Sequence, residues 1–250
     1  MLTQERFEEI VRIVTRDGAA TVPELARLLE TSESTIRRDL VQLDSLGKVR
    51  KVHGGATALR EAEPVQERNM QEKYSRNIED KRTIAAYAAT LVRPNDFIFL
   101  DAGSTTEQLA TYLTEKDAVY VTNGITLAQK LAQRGLKTLL LAGRVKATTD
   151  AVIGTEAVAS LQHYHFSKGF FGTNGITVEE GFTTPDIEEA MNKRVAMEHC
   201  RKCYVLADAS KFEALSNVSF GPLSKGVIIT AAQEGLNVKS YKQHTEVIVL

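Results

Sequence analysis

No stretch of this chain approaches the roughly 20 consecutive apolar residues of a membrane span. Its longest strongly apolar runs, such as Thr83–Val92 and Thr138–Ala142, stop far short of that. The opening residues, Met1-Leu2-Thr3-Gln4-Glu5-Arg6, lead into no apolar segment of the kind a secretory signal carries, so the expected location is cytoplasmic. Cysteine is scarce as well. Cys200 and Cys203 are the only two, which excludes a disulfide scaffold. Their C-x-x-C spacing can serve a redox site or half a zinc site. No second pair and no suitably spaced His-x-x-x-His completes a zinc site, so neither metal nor cofactor is expected. The structural reading is that Cys200 ends a helix and Cys203 opens a buried strand. Excess charge is also missing: the net charge is −1 over 250 residues, which by itself points to neither nucleic acid nor a charged surface. Internal repeats and low-complexity segments are absent too.

What is present is ordinary globular material, 43% apolar and 25% charged. Phe7, Ile10, Val11 and Val14 recur at helical spacing over residues 4–17, with Thr3 as N-cap, Leu2 and Phe7 as a hydrophobic staple, and Gly18 as the stop. Thr21 and Glu24 spell a capping box for a short second helix with Leu25, Leu28 and Leu29 facing inward. A third helix follows Ser32, carries Glu33 in its first turn, packs Ile36, Leu40 and Leu43 inward, and ends before Gly47. Lys48–Val52 then alternates like a strand, His53-Gly54-Gly55 turns, and Ala56–Ala58 returns. Three helices with a tight corner, then a hairpin, describe a winged helix-turn-helix over residues 1–60.

The outward face of the third helix bears Ser34, Thr35, Arg37, Arg38 and Val41. Arginine pairs with the guanine edge, and hydroxyls bond bases or phosphates, in the major groove where such a helix docks. The DNA-facing set is therefore Ser32, Ser34, Thr35, Arg37 and Arg38, joined by the wing residues Arg50, Lys51 and His53, suited to phosphate or minor-groove contact. From Lys48 to Arg60 the chain holds four basic residues and no acid, a local excess hidden in the neutral average. A protein-interaction module on the same three-helix scaffold is the alternative; the basic wing beside the corner favours double-stranded DNA as partner.

Residues 61–80 are highly charged, contain Pro64, and read as a linker running into a helix that turns apolar at Thr83. Beyond it, residues 81–250 alternate strands and helices. The strands are Phe97–Ala102, Ala118–Thr122, Lys137–Ala142, Lys168–Gly172, Cys203–Ala207 and Val227–Thr230. Thr105–Leu113, Ile125–Gln133 and Pro185–Cys200 are among the helices between them. Several strands are continuous apolar runs, the mark of parallel strands covered on both faces. The fold class is α/β, with a Rossmann-like second domain.

Polar loops follow three of these strands: Asp101-Ala102-Gly103-Ser104-Thr105-Thr106, Thr122-Asn123-Gly124 and Gly172-Thr173-Asn174-Gly175. The first sits at a strand-to-helix junction where amides, hydroxyls and a helix dipole suit a phosphate, without the Gly-Lys-Ser/Thr ending of a Walker loop. Ser104 and Glu107 also fit a plain capping box; the two further polar strand ends tilt the reading toward a ligand, since ligands of open α/β sheets bind at the carboxyl ends of strands. Arg144 and Lys211 could neutralise phosphate, and Asp101, Asp150 and Asp208 could bind sugar hydroxyls, or each is an ordinary loop charge. Asp208 and Lys211 could also be imagined as acid–base groups, but no catalytic base with a supporting motif is found, so the chain is read as a binder and not an enzyme.

Ser32-Glu33-Ser34-Thr35-Ile36-Arg37-Arg38-Asp39-Leu40 followed by Gly47 and Val52-His53-Gly54-Gly55-Ala56 resembles the DeoR family of bacterial regulators. The resemblance continues through Asp101–Thr106, Val121-Thr122-Asn123-Gly124, Ala142-Gly143-Arg144 and Asp208-Ala209-Ser210-Lys211-Phe212, with Gly124 where the family often has serine and Ala142 where it often has glycine. It implies a transcriptional repressor whose second domain is an effector domain of the ribose-5-phosphate isomerase A and CoA-transferase type. With the polar strand ends and the charges that follow strands, the expected effector-binding residues are Asp101, Gly103, Ser104, Thr105, Thr106, Thr122, Asn123, Gly124, Gly143, Arg144, Asp150, Asn174, Asp208 and Lys211. Thr148–Gly154 and Phe182–Glu189 are similar to the fructose-operon repressors within the family, which implies a phosphorylated sugar, fructose 1-phosphate, as effector. A homodimer or homotetramer is expected, since one winged helix covers only a short site.

Overall fold

The computed structural model describes residues 3–52, 54–58 and 70–250. The chain divides into two compact units, Met1–Glu61 and Ala62–Leu250.

In the first unit α1 (Thr3–Asp17), β1 (Ala19–Thr21), α2 (Val22–Leu28) and α3 (Glu33–Ser45) precede β2 (Arg50–Val52) and β3 (Gly55–Thr57). α1 already includes Thr3, so Thr3 lies within the helix and is not its cap; Leu2, the other half of the expected staple, lies outside the described residues. Thr21 caps α2 as its sequence requires: the hydroxyl accepts the Glu24 N–H at 3.3 Å, and the Glu24 carboxylate accepts the Thr21 N–H at 2.8 Å. Ile10, Val14, Leu25, Ile36, Leu40 and Leu43 close the core. Leu28 departs from expectation and stays 52% exposed, because Val22, Leu25, Ala26 and Leu29 already fill the inward face of α2. The wing also gains a strand. β1 pairs with β3, giving the order β1-β3-β2. Gly55 permits this, since a Cβ there would overlap the Ala20 carbonyl oxygen.

The second unit begins with α4 (Met70–Ser75) and α5 (Ile78–Ala89), so from Met70 onward the charged stretch read as linker is folded structure; residues 61–69 lie outside the described set. There follow β4 (Phe97–Leu100), α6 (Ser104–Tyr112), β5 (Val119–Thr122), α7 (Ile125–Gln133), β6 (Lys137–Leu140), β7 (Arg144–Lys146), β8 (Ala151–Ile153), α8 (Thr155–Gln162) and β9 (Phe166–Gly172). After these come β10 (Gly175–Thr177), β11 (Gly181–Thr184), α9 (Ile187–Glu198), β12 (Cys200–Leu206), β13 (Val218–Gly221), β14 (Val227–Thr230) and β15 (Val247–Val249).

Seven strands form one sheet in the order β15-β14-β12-β9-β4-β5-β6, and every pairing in it is parallel. Successive side chains alternate between its faces. Ile98, Leu100 and Phe170 pack with α5, α6 and α7, while Phe99, Phe171 and Val205 pack with α8 and α9. β6 is an edge strand, so Leu139 and Leu140 remain 44% and 47% exposed although their apolar run resembles a covered strand. The sequence reading did not contain the β7–β8 ribbon, the antiparallel sheet β10-β11-β13, α8 or β15. Cys200 starts β12 instead of ending a helix, and Cys203 is buried in that strand; both are free thiols. Among the described residues no helix is long and apolar enough to cross a membrane, and no group of three or more potential metal ligands gathers.

Candidate functional site

Two surfaces concentrate the polar residues. The first is α3 with the wing. Ser32 caps α3, its hydroxyl accepting the Thr35 N–H at 3.2 Å and lying 2.9 Å from both the Ser34 and Thr35 hydroxyls. This hydroxyl cluster fixes the N-terminal turn of α3. Arg37 and Arg38 are exposed, and Arg37 reaches Glu33 one turn back at 2.7 Å. Asp39, on the opposite face, is buried and accepts two hydrogen bonds from Arg6, at 2.6 and 3.2 Å, tying α3 to α1. Arg50 and Lys51 lie on β2, whose residues are all exposed, and the Lys51 N–H is anchored on the Asp44 carboxylate at 2.8 Å. Ser32, Ser34, Arg37, Arg38, Arg50 and Lys51 are all exposed. His53 lies outside the described residues.

The second surface is a cleft at the carboxyl ends of the parallel strands. Chain order reverses between β4 and β9, since β5 and β6 extend one way from β4 and β12, β14 and β15 extend the other way from β9. Such a switch point opens a crevice. Gly103, Ser104, Thr105, Asn174, Asp208 and Lys211 from the expected set line it. No side chain caps α6, so the positive end of the helix dipole at Gly103–Thr105 faces the crevice. The capping box read at Ser104 and Glu107 does not form: buried Glu107 takes Tyr74 and Lys130 instead.

The other expected residues stand behind this wall. Buried Asp101 accepts the Gly172 N–H at 3.0 Å and pairs with Lys193. Burial pushes its carboxyl up, and Lys193 opposes that. Thr106 is fully buried with its hydroxyl donating to the Gly103 carbonyl at 2.8 Å. Thr122 accepts the Gly124 N–H at 3.0 Å, and Asn123 accepts the Ala102 N–H at 2.8 Å. Asp150 accepts the Thr126 N–H at 2.7 Å. Gly143 packs where a Cβ would come within 2.7 Å of the Ile153 carbonyl oxygen. Arg144 points to Glu188 on α9 and does not line the cleft. These groups hold the loops in place; the crevice itself is made by others.

Several wall residues were not singled out in the sequence: Lys73, Arg76, Asn77 and Lys81 from α4–α5, and Lys193 from α9. Lys193 is 4% exposed and donates to the Gly172 carbonyl at 3.1 Å. Lys81 is 5% exposed and donates to the Lys73 carbonyl; burial lowers its pKa to about 8, with Asp208 opposing. Asn77 donates to Asp208 at 2.8 Å. Burial alone would raise the Asp208 carboxyl, but Lys211, Ser210 and Asn77 together hold it below the usual range. Among the described residues, five cations (Lys73, Arg76, Lys81, Lys193, Lys211) line the cleft beside the carboxylates Glu189 and Asp208, with Asp101 behind Lys193. Such a concentration of cations suits an anionic group, and a phosphate monoester carries about −1.5 to −2 at neutral pH.

Two family models match the chain, the DeoR-like helix-turn-helix domain over residues 6–62 and the DeoR C terminal sensor domain over residues 76–231. An uncharacterized HTH-type transcriptional regulator of Bacillus subtilis (strain 168), FruR, is 41% identical over 251 residues, covering 100% of this chain and 99% of that protein. The lactose phosphotransferase system repressor of Streptococcus mutans serotype c is 34% identical, covering 99% and 100%. Among solved structures, ribose 5 phosphate isomerase A from Neisseria gonorrhoeae overlaps 55% of this chain and 54% of its own at 16% identity and a TM-score of 0.40.

Proposed function

The chain belongs to the DeoR family, and from that premise we propose that it is the repressor of a sugar-utilisation operon, released from its operator by fructose 1-phosphate. In this reading residues 1–60 bind double-stranded DNA. Arg37 and Arg38 read base edges, and Arg50 and Lys51 hold phosphates of the backbone. Residues 81–250, extended by α4 and the start of α5, sense the sugar and carry the contacts of a symmetric homodimer or homotetramer.

The observation that carries the sensor half is the crevice at the β4/β9 switch point, where an uncapped helix start and five cationic side chains converge. The phosphate sits against the first-turn amides and hydroxyls of Gly103, Ser104 and Thr105. Asn174 and Asp208 are placed for sugar hydroxyls, and Lys211 for the phosphate charge. The FruR name of the Bacillus subtilis relative supports the fructose assignment. An inducer acts only through unequal affinity for the DNA-competent and DNA-incompetent states, and a hundredfold inequality is worth about 2.7 kcal/mol.

The test is an operator titration at fixed salt with fructose 1-phosphate, fructose 6-phosphate, fructose 1,6-bisphosphate and fructose. Fructose 1-phosphate is expected to weaken operator binding most. If another phosphosugar does so and fructose 1-phosphate does not, the fructose assignment is wrong and the sensor reading stands. Thr105→Glu places a carboxylate where the phosphate would lie and should abolish the response while operator binding persists.

A further inference from the structure

Asn77 departs from what its position calls for. It immediately precedes α5, where asparagine ordinarily turns its side chain back onto the helix amides. Here the side chain makes no capping bond, and the backbone sits in the left-handed region at φ 49°. The carboxamide instead crosses to Asp208, 131 positions away. A second tie runs from the Tyr74 hydroxyl on α4 to buried Glu107 on α6, the helix whose start faces the cleft. A third, from Lys81 to the Lys73 carbonyl, holds α5 to α4 across the bend. The α4–α5 bend is thus fastened by side chains to Asp208 in the cleft wall and to Glu107 on α6, and it is the first described element after the winged unit in the chain.

We propose that the α4–α5 bend is the second jaw of the effector site: Lys81 and Arg76 grip the effector's anionic group from the side opposite the first turn of α6, and the Asn77–Asp208 bond converts that grip into a change of operator affinity. This rests on the phosphosugar reading above. The physics is a competition. Without ligand, Asp208 is a carboxylate whose charge acts on both Lys81 and Lys211. A phosphate dianion between the jaws offers those cations more charge than one carboxylate does, and draws them from it. Its repulsion also bears on Asp208, the acceptor for Asn77. The bend therefore has one set of ties with the ligand and another without, which is the two-state element that coupling requires.

The full chain tests this with fructose 1-phosphate as probe, two quantities being measured on each variant. One is sugar affinity by calorimetry; the other is the ratio of operator affinities without sugar and at saturating sugar. Arg76→Gln and Lys81→Gln should each weaken sugar binding at least tenfold. Arg76 is exposed, so its variant serves if Lys81→Gln fails to fold. Asn77→Ala, read at saturating sugar so that a changed Kd drops out, should shrink the operator ratio at least tenfold, and Asn77→Gln should restore part of it. Wild-type sugar affinity in Arg76→Gln, or a wild-type operator ratio in Asn77→Ala, overturns the proposal while the phosphosugar reading survives. A wild-type chain that binds no phosphosugar overturns both.

Discussion

The reading face of the winged unit and the cleft of the sensor unit are both shaped by polar contacts, but over very different spans. On α3 the polar contacts that shape the reading face join residues at most four apart: Ser32 to Ser34 and Thr35, and Glu33 to Arg37. In the sensor the corresponding contacts join Asp101 to Lys193, 92 positions apart, and Asn77 to Asp208, 131 apart. A local cluster on an exposed helix loses little when one member goes, because water replaces it. A buried pair drawn from two distant elements strands its survivor. Polar contacts are therefore cheap to edit on the reading face and costly behind the cleft; buried Asp39 with Arg6, 33 positions away, is the winged unit's counterpart of the costly kind.

The largest expected effect sharpens that contrast. Lys193→Met leaves Asp101 buried without its cation and should cost about 3–5 kcal/mol in a urea unfolding curve. Adding Asp101→Asn removes the stranded charge while leaving an oxygen for the Gly172 N–H, and should recover much of the loss. A single variant within about 1 kcal/mol of wild type would show that the pair is not a structural tie.

Next in size is the reading face. Arg38→Ala should weaken operator binding by about 1–3 kcal/mol, the worth of a bidentate base contact, with thermal stability unchanged because Arg38 is exposed. Wild-type operator affinity in this variant and in Arg37→Ala would remove α3 as the reading element.

The two units also differ in how far their sequences disclose them. The capping box at Thr21 and Glu24, the Ser32 cap and the Ile125–Gln133 helix are legible because each is settled within a few neighbouring residues. β1 is not, since three residues are too few to show an alternation, and its pairing with β3 depends on Gly55. The loops at Asp101, Thr122 and Gly172 are legible as polar strand ends. Which of their side chains open onto the cleft and which, like Thr106 and Asn123, turn back to hold a neighbouring loop depends on strand order. Lys193 between Asn192 and Arg194, and Lys81 before Arg82, look like surface charges in sequence. Only the approach of Asp101 and of Asp208 marks them as interior.

A smaller effect comes from Lys81. Burial lowers its pKa to about 8, with Asp208 opposing and Lys211, Lys73 and Arg76 adding to the depression. A dianion bound beside it raises that pKa again, so above about pH 8 each binding event must take up a proton. Sugar-phosphate affinity should fall there by up to about tenfold, or 1.4 kcal/mol, per pH unit. Below about pH 6 the phosphate itself protonates and affinity falls on that side too. Calorimetry at pH 7 and 9 in buffers of different ionisation heat reads the proton directly. Affinity flat to pH 9 without proton uptake would mean that Lys81 stays away from the anion.

The smallest effect concerns Glu33, which sits in the first turn of α3 and is paired with Arg37 at 2.7 Å. Both side chains are well exposed, 46% and 61%, so the pair is screened and worth about 0.3–0.5 kcal/mol to the helix. An acidic residue at a helix start adds a dipole contribution of about the same size. Glu33→Gln should therefore lower stability by less than about 1 kcal/mol. On the DNA side the sign reverses. The substitution removes an anion from a face that meets phosphates and releases Arg37 from a competing carboxylate. Operator affinity should rise by about 0.5 kcal/mol, roughly two- to threefold. Because the gain is charge and not base contact, binding to scrambled DNA should rise by the same factor, and both gains should shrink between 50 and 200 mM salt. Titrations of operator and scrambled duplex at the two salt concentrations separate the cases. A gain confined to the operator would mean that Glu33 discriminates against a base, as carboxylates do through the cytosine amino group, and no gain on either duplex would place Glu33 outside the DNA contact.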